Sequence, residues 1–154
     1  MTNIEQRIQR LEDIEAIRQL KHRYCALCDD NYNPQGLAGL FAADAIWDGG
    51  PLGKVEGQAA IQEMFKNAPG MMKFAVHYVM NDIIEVDGDT ATAEWLLWQP
   101  TVIRQNDQAM WLAAGYKDQY VRTPAGWRFK HLTLDLRMMS PYEAGFGKMQ
   151  FAPL

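Results

Sequence analysis

The first segment of the chain, as far as residue 24, shows the hydrophobic periodicity of an amphipathic helix. Its apolar side chains recur every three or four positions, at Ile4, Ile8, Leu11, Ile14, Ile17, Leu20 and Tyr24. This spacing places them on one face of a helix, with Glu, Gln, Arg and Lys side chains on the opposite face. We expect the helix to end near the Asp-Asp-Asn segment at residues 29–31, because short polar side chains compete for backbone hydrogen bonds.

Two further helices and a short strand are predicted before residue 70. Asn33-Pro34 fits an N-cap followed by the first helical residue, so a short helix is expected from there through Phe41. A short strand is expected at residues 45–47. A third helix is predicted at residues 57–66, and the Asn-Ala-Pro-Gly segment at residues 67–70 is expected to end it.

After residue 70 the pattern becomes that of β-strands joined by turns. Strands are predicted at residues 74–80, 83–86, 90–104, 109–122 and 127–139. Asp87-Gly88 has the chemistry of a tight hairpin turn. Helices followed by a meander of long strands predict an α+β fold, in which a strongly curved, mostly antiparallel sheet holds the N-terminal helices in its concave face. We interpret residues 1–154 as a single domain.

Composition narrows the class of protein. The chain has 154 residues, of which 48% are hydrophobic and 22% charged, as in globular proteins. A net charge of −4 provides no basic surface for nucleic acid or an anionic membrane. Neither a signal peptide nor an apolar run of membrane-spanning length is recognised, so a cytoplasmic location is predicted.

Metals and cofactors are not expected from the motifs. Cys25 and Cys28 lie in one predicted helix without a second ligand pair, which argues against a disulfide scaffold or a cysteine zinc site. His22, His77 and His131 form no local metal-binding motif. Glycine-rich phosphate loops and the HExxH and GxSxG motifs are absent from the sequence. The prediction is therefore that the protein uses no cofactor and no metal.

Aromatic and methionine residues are abundant for a chain of this size. The sequence contains five Trp, six Tyr, six Phe and nine Met. Such a surplus is explained by an apolar pocket, by an oligomer interface, or simply by a methionine-rich core.

Asp29 and His77 are the first candidates for chemistry. Asp29 and its neighbour Asp30 fall at the C-terminal end of the first helix, where the helix dipole favours cations instead. An exposed turn or a functional carboxylate would each explain them. His77 is predicted in mid-strand between apolar residues, where it is either a hydrogen-bonded core histidine or a general base.

The last two strands supply further candidates. Arg137 follows three alternating leucines, so it is either an exposed residue or an inward-pointing anion clamp. His131 faces either solvent or a cavity. Tyr116, Asp118 and Tyr120 share one face of a strand, where they either line a pocket or form an exposed ladder.

A series of short motifs spans nearly the whole chain. They lie at residues 14–24 followed by Asp29, and at residues 40–45, 77–81, 87–91, 115–120, 126–129 and 140–148. Together they resemble SnoaL-like and scytalone dehydratase-like proteins of the nuclear-transport-factor-like superfamily. That resemblance implies a cone-shaped barrel closed around the helices. The superfamily includes enzymes, binding modules and oxygenase subunits, so it does not specify one activity.

The resemblance also assigns roles to individual residues. Scytalone dehydratases, bile-acid dehydratases and hexachlorocyclohexane dehydrochlorinase use an Asp–His pair inside the cone, which corresponds to Asp29 and His77. Tyr24 resembles the tyrosine that hydrogen-bonds a substrate oxygen in the bile-acid enzymes, and Arg137 is similar to their terminal-strand arginine. Scytalone dehydratase has a second pocket histidine, whereas the strand at residues 90–104 contains none.

These implications lead to a functional hypothesis. We expect a cofactor-independent lyase of the dehydratase type, acting on a small apolar, cyclic or aromatic substrate, with Asp29, His77 and Tyr24 as catalytic residues. Substrate-binding residues are expected to be Arg137, Trp47, Tyr116, Trp111 and His131. The alternatives are an isomerase or polyketide-type cyclase, and a non-catalytic ligand-binding or oxygenase-subunit module.

We also expect a homo-oligomer, a dimer or a trimer. A long curled sheet leaves one broad apolar face that a small domain cannot cover. The contacts are predicted on this face of the meander and in the tail at residues 142–151.

Overall fold

The computed structural model describes residues 3–153 and shows an α+β fold. Its helices are α1 (Ile4–Asp29), α2 (Pro34–Ala38) and α3 (Gln58–Met71), with a short 3₁₀ turn at Gly50–Leu52. Its strands are β1 (Phe41–Asp48), β2 (Lys54–Glu56), β3 (Met72–Ala75), β4 (Tyr78–Asp87), β5 (Thr90–Ile103), β6 (Gln108–Thr123) and β7 (Gly126–Pro141). The predicted order of helices followed by a strand meander is confirmed.

One seven-stranded sheet forms the framework. Its strand order is β2-β1-β7-β6-β5-β3, and β4 also pairs with β5. All of these pairings are antiparallel except that of β1 with β7. The sheet curls into a half-barrel around the helices, as expected.

Helix α1 buries its apolar stripe only in its second half. Ile17, Leu20 and Tyr24 are buried, whereas Ile4 and Leu11 are exposed although they belong to the same apolar stripe. A helix of 26 residues is about 39 Å long, and in its first half the buried residue is Asp13, which bonds Arg122 of β6 and Trp127 of β7. The apolar stripe is therefore exposed as far as Leu11 and buried from Ile17 onward.

Helices α2 and α3 end differently from the prediction. Helix α2 ends at Ala38, and Phe41 already belongs to β1, where it lies opposite Phe129 of β7. Helix α3 continues through Pro69 to Met71. Proline removes one backbone donor, but it lies in the last turn, and the Met72 amide still closes that turn on the Ala68 carbonyl oxygen.

His77 lies in a link between two strands, not in mid-strand as predicted. Strand β3 ends at Ala75 and β4 begins at Tyr78. The Val76 amide donates to the Pro100 carbonyl oxygen of β5, but the His77 amide donates to the Asp29 side chain. The sheet pattern is interrupted here because this amide bonds a side chain of α1.

Candidate functional site

A cavity of about 180 Å³ lies between the second half of α1, helix α3 and the concave face of the sheet. Most of its wall is apolar, and three of the nine methionines, Met64, Met71 and Met72, belong to it. The wall also contains six side chains that can exchange hydrogen bonds with a ligand, those of Tyr24, Cys28, Tyr32, His77, Gln99 and Tyr116. An apolar cavity with a few polar groups has the character of a small-molecule site.

A second, larger depression of about 810 Å³ is more open and lies elsewhere on the molecule. Arg10, Asp44, Glu85 and Lys130 are among the residues around it, and neither Asp29 nor His77 is. The cavity beside His77 is therefore the candidate site.

The end of α1 directs Asp29 towards the β3–β4 link. Asp29 is the last residue of the helix, and Asp30 is its C-cap. Asn31 and Tyr32 then adopt left-handed backbone angles, with φ of 53° and 54°. Such angles are unfavourable for a tyrosine. They turn the chain back on itself, and the Tyr32 ring packs edge-on against His77, with ring centroids 6.2 Å apart.

Asp29 and His77 form a two-point contact. Asp29 Oδ1 accepts the His77 backbone amide at 3.0 Å and lies 2.7 Å from His77 Nδ1. Because an ionised carboxylate can only accept, the proton of this contact lies on Nδ1, and Nε2 is the ring nitrogen left without a partner among residues 3–153. The carboxylate thus fixes the tautomer and the ring orientation of His77.

The two members of this pair face different surroundings. The His77 side chain is only 6% exposed and lines the cavity. The Asp29 side chain is 31% exposed and lies in a neighbouring depression beside Lys73 and Phe74. Asp29 therefore holds His77 from the side away from the cavity, and the imidazole is the member of the pair that can contact a ligand. This arrangement suits a general base.

Two buried phenols complete the polar part of the wall. Trp47 also lines the cavity, and its indole donates to the Tyr24 hydroxyl at 3.2 Å. Burial raises the pKa of both Tyr24 and Tyr116 well above the ordinary value. Both side chains are therefore neutral and can donate a hydrogen bond to a ligand oxygen.

The two cysteine side chains near the cavity are not activated as nucleophiles. Burial raises the pKa of Cys28, which lines the wall, and that of Cys25 to about 11. Both side chains are therefore thiols at neutral pH, whereas nucleophilic cysteines are thiolates.

An ion pair is buried beneath the Tyr116 ring. Lys21 Nζ lies 2.8 Å from Asp118 Oδ2 and 3.1 Å from the centroid of the Tyr116 ring, and both charged side chains are fully buried. The Tyr120 hydroxyl also donates to Asp118 Oδ2, at 2.9 Å. Burial raises the pKa of Asp118, an effect that Lys21 opposes. Lys21 was expected on the solvent face of α1, so that expectation is wrong.

Three predicted binding residues do not line the cavity. Trp111 alternates with the buried Met110 and Leu112, so it lies on the other face of β6 and stacks on Trp98 at 5.2 Å. His131 lies in register with Ile46 and Gln119, away from the cavity wall. The prediction that these residues bind substrate in this cavity is contradicted by their position.

Arg137 is the third of these residues. It is exposed, its Nε lies 3.9 Å from Asp135 Oδ2, and its guanidinium covers Gly115 so closely that a Cβ there would come within 2.9 Å of it. It follows Leu136 at an irregularity in the β6–β7 pairing, between Ala113 and Ala114. The predicted inward clamp is therefore wrong, and the alternative of an exposed residue describes its position.

Gln99 and Tyr32 are polar residues of the wall that were not among the predicted site residues. Gln99 falls in the alternation of buried positions along β5, which runs Ala91, Ala93, Trp95, Leu97, Gln99 and Thr101. Its position could therefore have been inferred from the strand period. Tyr32 could not, because its orientation depends on the left-handed turn after α1.

Within residues 3–153, no group of three or more His, Cys, Asp or Glu side chains is arranged to hold a metal ion. No helix in the same part of the chain is long and apolar enough to cross a membrane.

Comparison with known proteins identifies the family. Residues 9–133 match the SnoaL-like domain family, and this region contains both Asp29 and His77. The chain is also 30% identical to the uncharacterised protein Rv2910c of Mycobacterium tuberculosis over 123 residues, which are 79% of this chain and 83% of the mycobacterial protein.

Two solved structures are similar in fold. A proposed aromatic ring hydroxylase from Novosphingobium aromaticivorans is 26% identical, with a TM-score of 0.79 over 90% of this chain and 96% of that one. The hexachlorocyclohexane dehydrochlorinase LinA-type3 from Novosphingobium barchaimii is 23% identical, with a TM-score of 0.81 over 96% of this chain and 99% of that one. At that identity the second likeness concerns the fold alone. From the family match and the mycobacterial relative together, the chain belongs to the SnoaL-like domain family.

Proposed function

We propose that the protein is a cofactor-independent lyase that eliminates water or halide from a small cyclic substrate, with His77 as the general base. The observation that supports this most strongly is the Asp29–His77 pair, which holds the imidazole with Nε2 free in an apolar cavity. The similar fold of a hexachlorocyclohexane dehydrochlorinase is consistent with elimination chemistry.

The proposed reaction needs only groups of this chain. His77 Nε2 accepts a proton from a ring carbon, and the C–H electron pair becomes the second bond of a C=C. The bond from the neighbouring carbon to its hydroxyl or halide breaks at the same time. Halide departs as an anion, whereas hydroxyl departs as water after taking the proton back from the His77 imidazolium, while a phenol such as Tyr24 or Tyr116 donates a hydrogen bond to the leaving oxygen. Asp29 stabilises the imidazolium ion formed at His77.

The size of the cavity favours a single-ring substrate. An apolar protein cavity of about 150 Å³ is sufficient for benzene. The cavity here measures about 180 Å³, which leaves room for one ring with small substituents. Its apolar wall, including Phe65, Leu112 and Leu134, would exclude water from the reacting bond.

A screen of hydroxylated and halogenated cyclohexanes and cyclohexenes tests the proposal. Product alkene and released halide are measured for the wild type and for His77→Ala. We expect the substitution to lower kcat by about 10²- to 10⁴-fold, the usual contribution of a general base. His22→Ala is the matched control, because His22 is exposed on α1, and it should retain full activity. Equal activity of His77→Ala and wild type would refute the role of His77.

An isomerase or polyketide-type cyclase is the second candidate. Two neutral phenols in the same wall as His77 would also suit a proton moved between carbons of a carbonyl compound, since a phenol can stabilise the enolate oxygen. Reactions in D₂O followed by NMR separate the two candidates, because isomerisation incorporates deuterium without loss of hydroxyl or halide. Binding of ring compounds without any turnover would instead indicate a ligand-binding module.

We also propose that the chain forms a dimer or trimer. Large apolar side chains are exposed on β3 and β4, at Phe74, Tyr78, Met80 and Ile83, and in the tail, at Tyr142, Phe146 and Phe151. Exposed apolar groups of this number are typical of an interface. Sedimentation should show an oligomer that Ile83→Lys weakens, and a monomer at all concentrations would contradict the proposal. The cytoplasmic location stays a prediction.

A further inference from the structure

We infer that Gln99 recognises an oxygen substituent that the substrate keeps, a ring hydroxyl or carbonyl next to the carbon that His77 deprotonates. This inference rests on the proposed function, because it assigns a substrate class to the same cavity. Gln99 is 5% exposed and lines the cavity, and among residues 3–153 its side-chain amide has no hydrogen-bond partner.

Thr101, two residues from Gln99, shows how a buried polar side chain of β5 is paired. Thr101 is buried two residues further along β5, and its hydroxyl donates to the Phe74 carbonyl oxygen at 2.7 Å. Buried side-chain polar groups are generally paired in this way, because an unpaired one loses its bonds to water without replacement. The Gln99 amide has no such partner within residues 3–153, and because its polar atoms are not fully enclosed, they stay open to a ligand in the cavity.

The strand register places Gln99 beside the proposed base. Ala75 of β3 lies opposite Thr101, and Tyr78 of β4 lies opposite Trp98. The link that carries His77 therefore runs alongside the part of β5 that carries Gln99. A ligand oxygen bound by the Gln99 amide would therefore lie close to the ring carbon that His77 Nε2 deprotonates.

The chemistry of a primary amide defines what it can bind. Gln99 offers two N–H donors and one carbonyl acceptor, whereas Tyr24 and Tyr116 each offer a single hydroxyl. On β6 the residue in register with Gln99 is Leu112, which cannot pair with the amide. A ligand hydroxyl or carbonyl oxygen would satisfy it, and an entirely hydrocarbon or halogenated ring would not.

Binding of a matched pair of probes, phenol and toluene, tests the inference without turnover. The two molecules have nearly the same shape and differ in a hydroxyl against a methyl group. Their dissociation constants are measured by NMR titration with wild type and Gln99→Leu. We expect the preference for phenol to fall by about tenfold in the variant, the value of one good hydrogen bond. Met64→Leu changes the same wall without removing a hydrogen-bond partner and should keep the wild-type preference.

Thermal unfolding without ligand separates recognition from a structural role. Leucine has about the same size as glutamine and needs no partner, so we expect Gln99→Leu to raise Tm by about 3 °C. An unchanged phenol preference would overturn the inference, whatever the change in Tm. Loss of the preference in Tyr24→Phe or Tyr116→Phe, with Gln99→Leu unaffected, would assign recognition to a phenol instead. Probe binding does not depend on elimination, so failure of the proposed lyase reaction would be recognised separately.

Discussion

Two of the pairs that helix α1 forms with partners from the sheet region have opposite surroundings. Lys21 Nζ lies 2.8 Å from Asp118 Oδ2, and neither side chain is exposed. Eight residues later, Asp29 Oδ1 lies 2.7 Å from His77 Nδ1, with the carboxylate open to solvent on one side and the imidazole open to the cavity on the other.

The comparison shows which feature marks a candidate site. The Lys21–Asp118 pair is enclosed by the Tyr116 ring and the Tyr120 hydroxyl, so a ligand cannot reach either charge. In the Asp29–His77 pair one nitrogen remains free and faces an apolar cavity. A short distance between ionisable groups is common to both pairs, and only the accessible, unpaired nitrogen of His77 distinguishes them.

Breaking the enclosed pair should have the largest effect, and it should act on stability. Lys21→Met keeps apolar contact with Tyr116 but leaves Asp118 buried without its cation. We expect the free energy of unfolding, measured with urea, to fall by about 3–5 kcal/mol, the usual cost of removing one partner of a buried pair.

The double variant Lys21→Met/Asp118→Leu provides the control. Replacing both charges by apolar side chains should recover most of the lost stability, because no unpaired charge remains. A loss below about 1 kcal/mol in the single variant, the typical range of a surface pair, would contradict the view that this pair is structural.

Altering the open pair should act on the reaction instead. Asp29→Asn keeps the size of the side chain but removes the charge that stabilises imidazolium, and its amide can present a donor to Nδ1. We expect kcat to fall by about 10²-fold while Tm changes little, because the Asp29 side chain is partly solvated.

Asp30→Asn is the matched control, since Asp30 is the adjacent exposed carboxylate. It should leave kcat unchanged. Equal losses in the two variants would mean that general negative charge at the end of α1, and not the bond to His77, supports the activity.

The sequence predicted the general architecture better than the inward or outward direction of individual side chains. Hydrophobic period and turn residues were sufficient for the order of helices and strands. The expected meeting of Asp29 and His77 came from the motif resemblance, and the two side chains do meet. Their catalytic roles stay a proposal.

Arg137 and His131 could not be placed, because pairing irregularities interrupt the simple alternation of β6 and β7. Register shifts occur between Ala113 and Ala114 and between Gln119 and Tyr120. A shift of one residue moves side chains to the other face of a sheet. Lys21 was misplaced for a different reason, since its partner Asp118 lies 97 residues away in the chain and helical periodicity carries no information about it.

The smallest expected effect concerns a third pair on α1, which lies between the two extremes. Asp13 accepts two bonds from Arg122, at 2.8 and 2.7 Å, and a third from the Trp127 indole at 3.1 Å. The Arg122 bonds lower the pKa of Asp13 below its ordinary value of 3.8, whereas burial raises the pKa of Asp118 above that value. The two carboxylates should therefore affect the pH dependence of stability with opposite signs.

For Asp13 the folded state binds the proton less readily than the unfolded state. Its contribution to stability is complete above pH 3.8 and is lost as the pH falls through the lower folded pKa. Asp118 acts in the reverse direction, because the free energy of unfolding falls as the pH rises from 3.8 to the raised pKa of Asp118.

Urea unfolding at a series of pH values from 6 downwards should show a smaller acid-induced loss of stability in Asp13→Asn than in wild type. Asp107→Asn, which removes an exposed partner of Lys73, should follow the wild-type curve. An identical acid loss in Asp13→Asn and wild type would show that the Arg122 pair does not contribute to acid sensitivity.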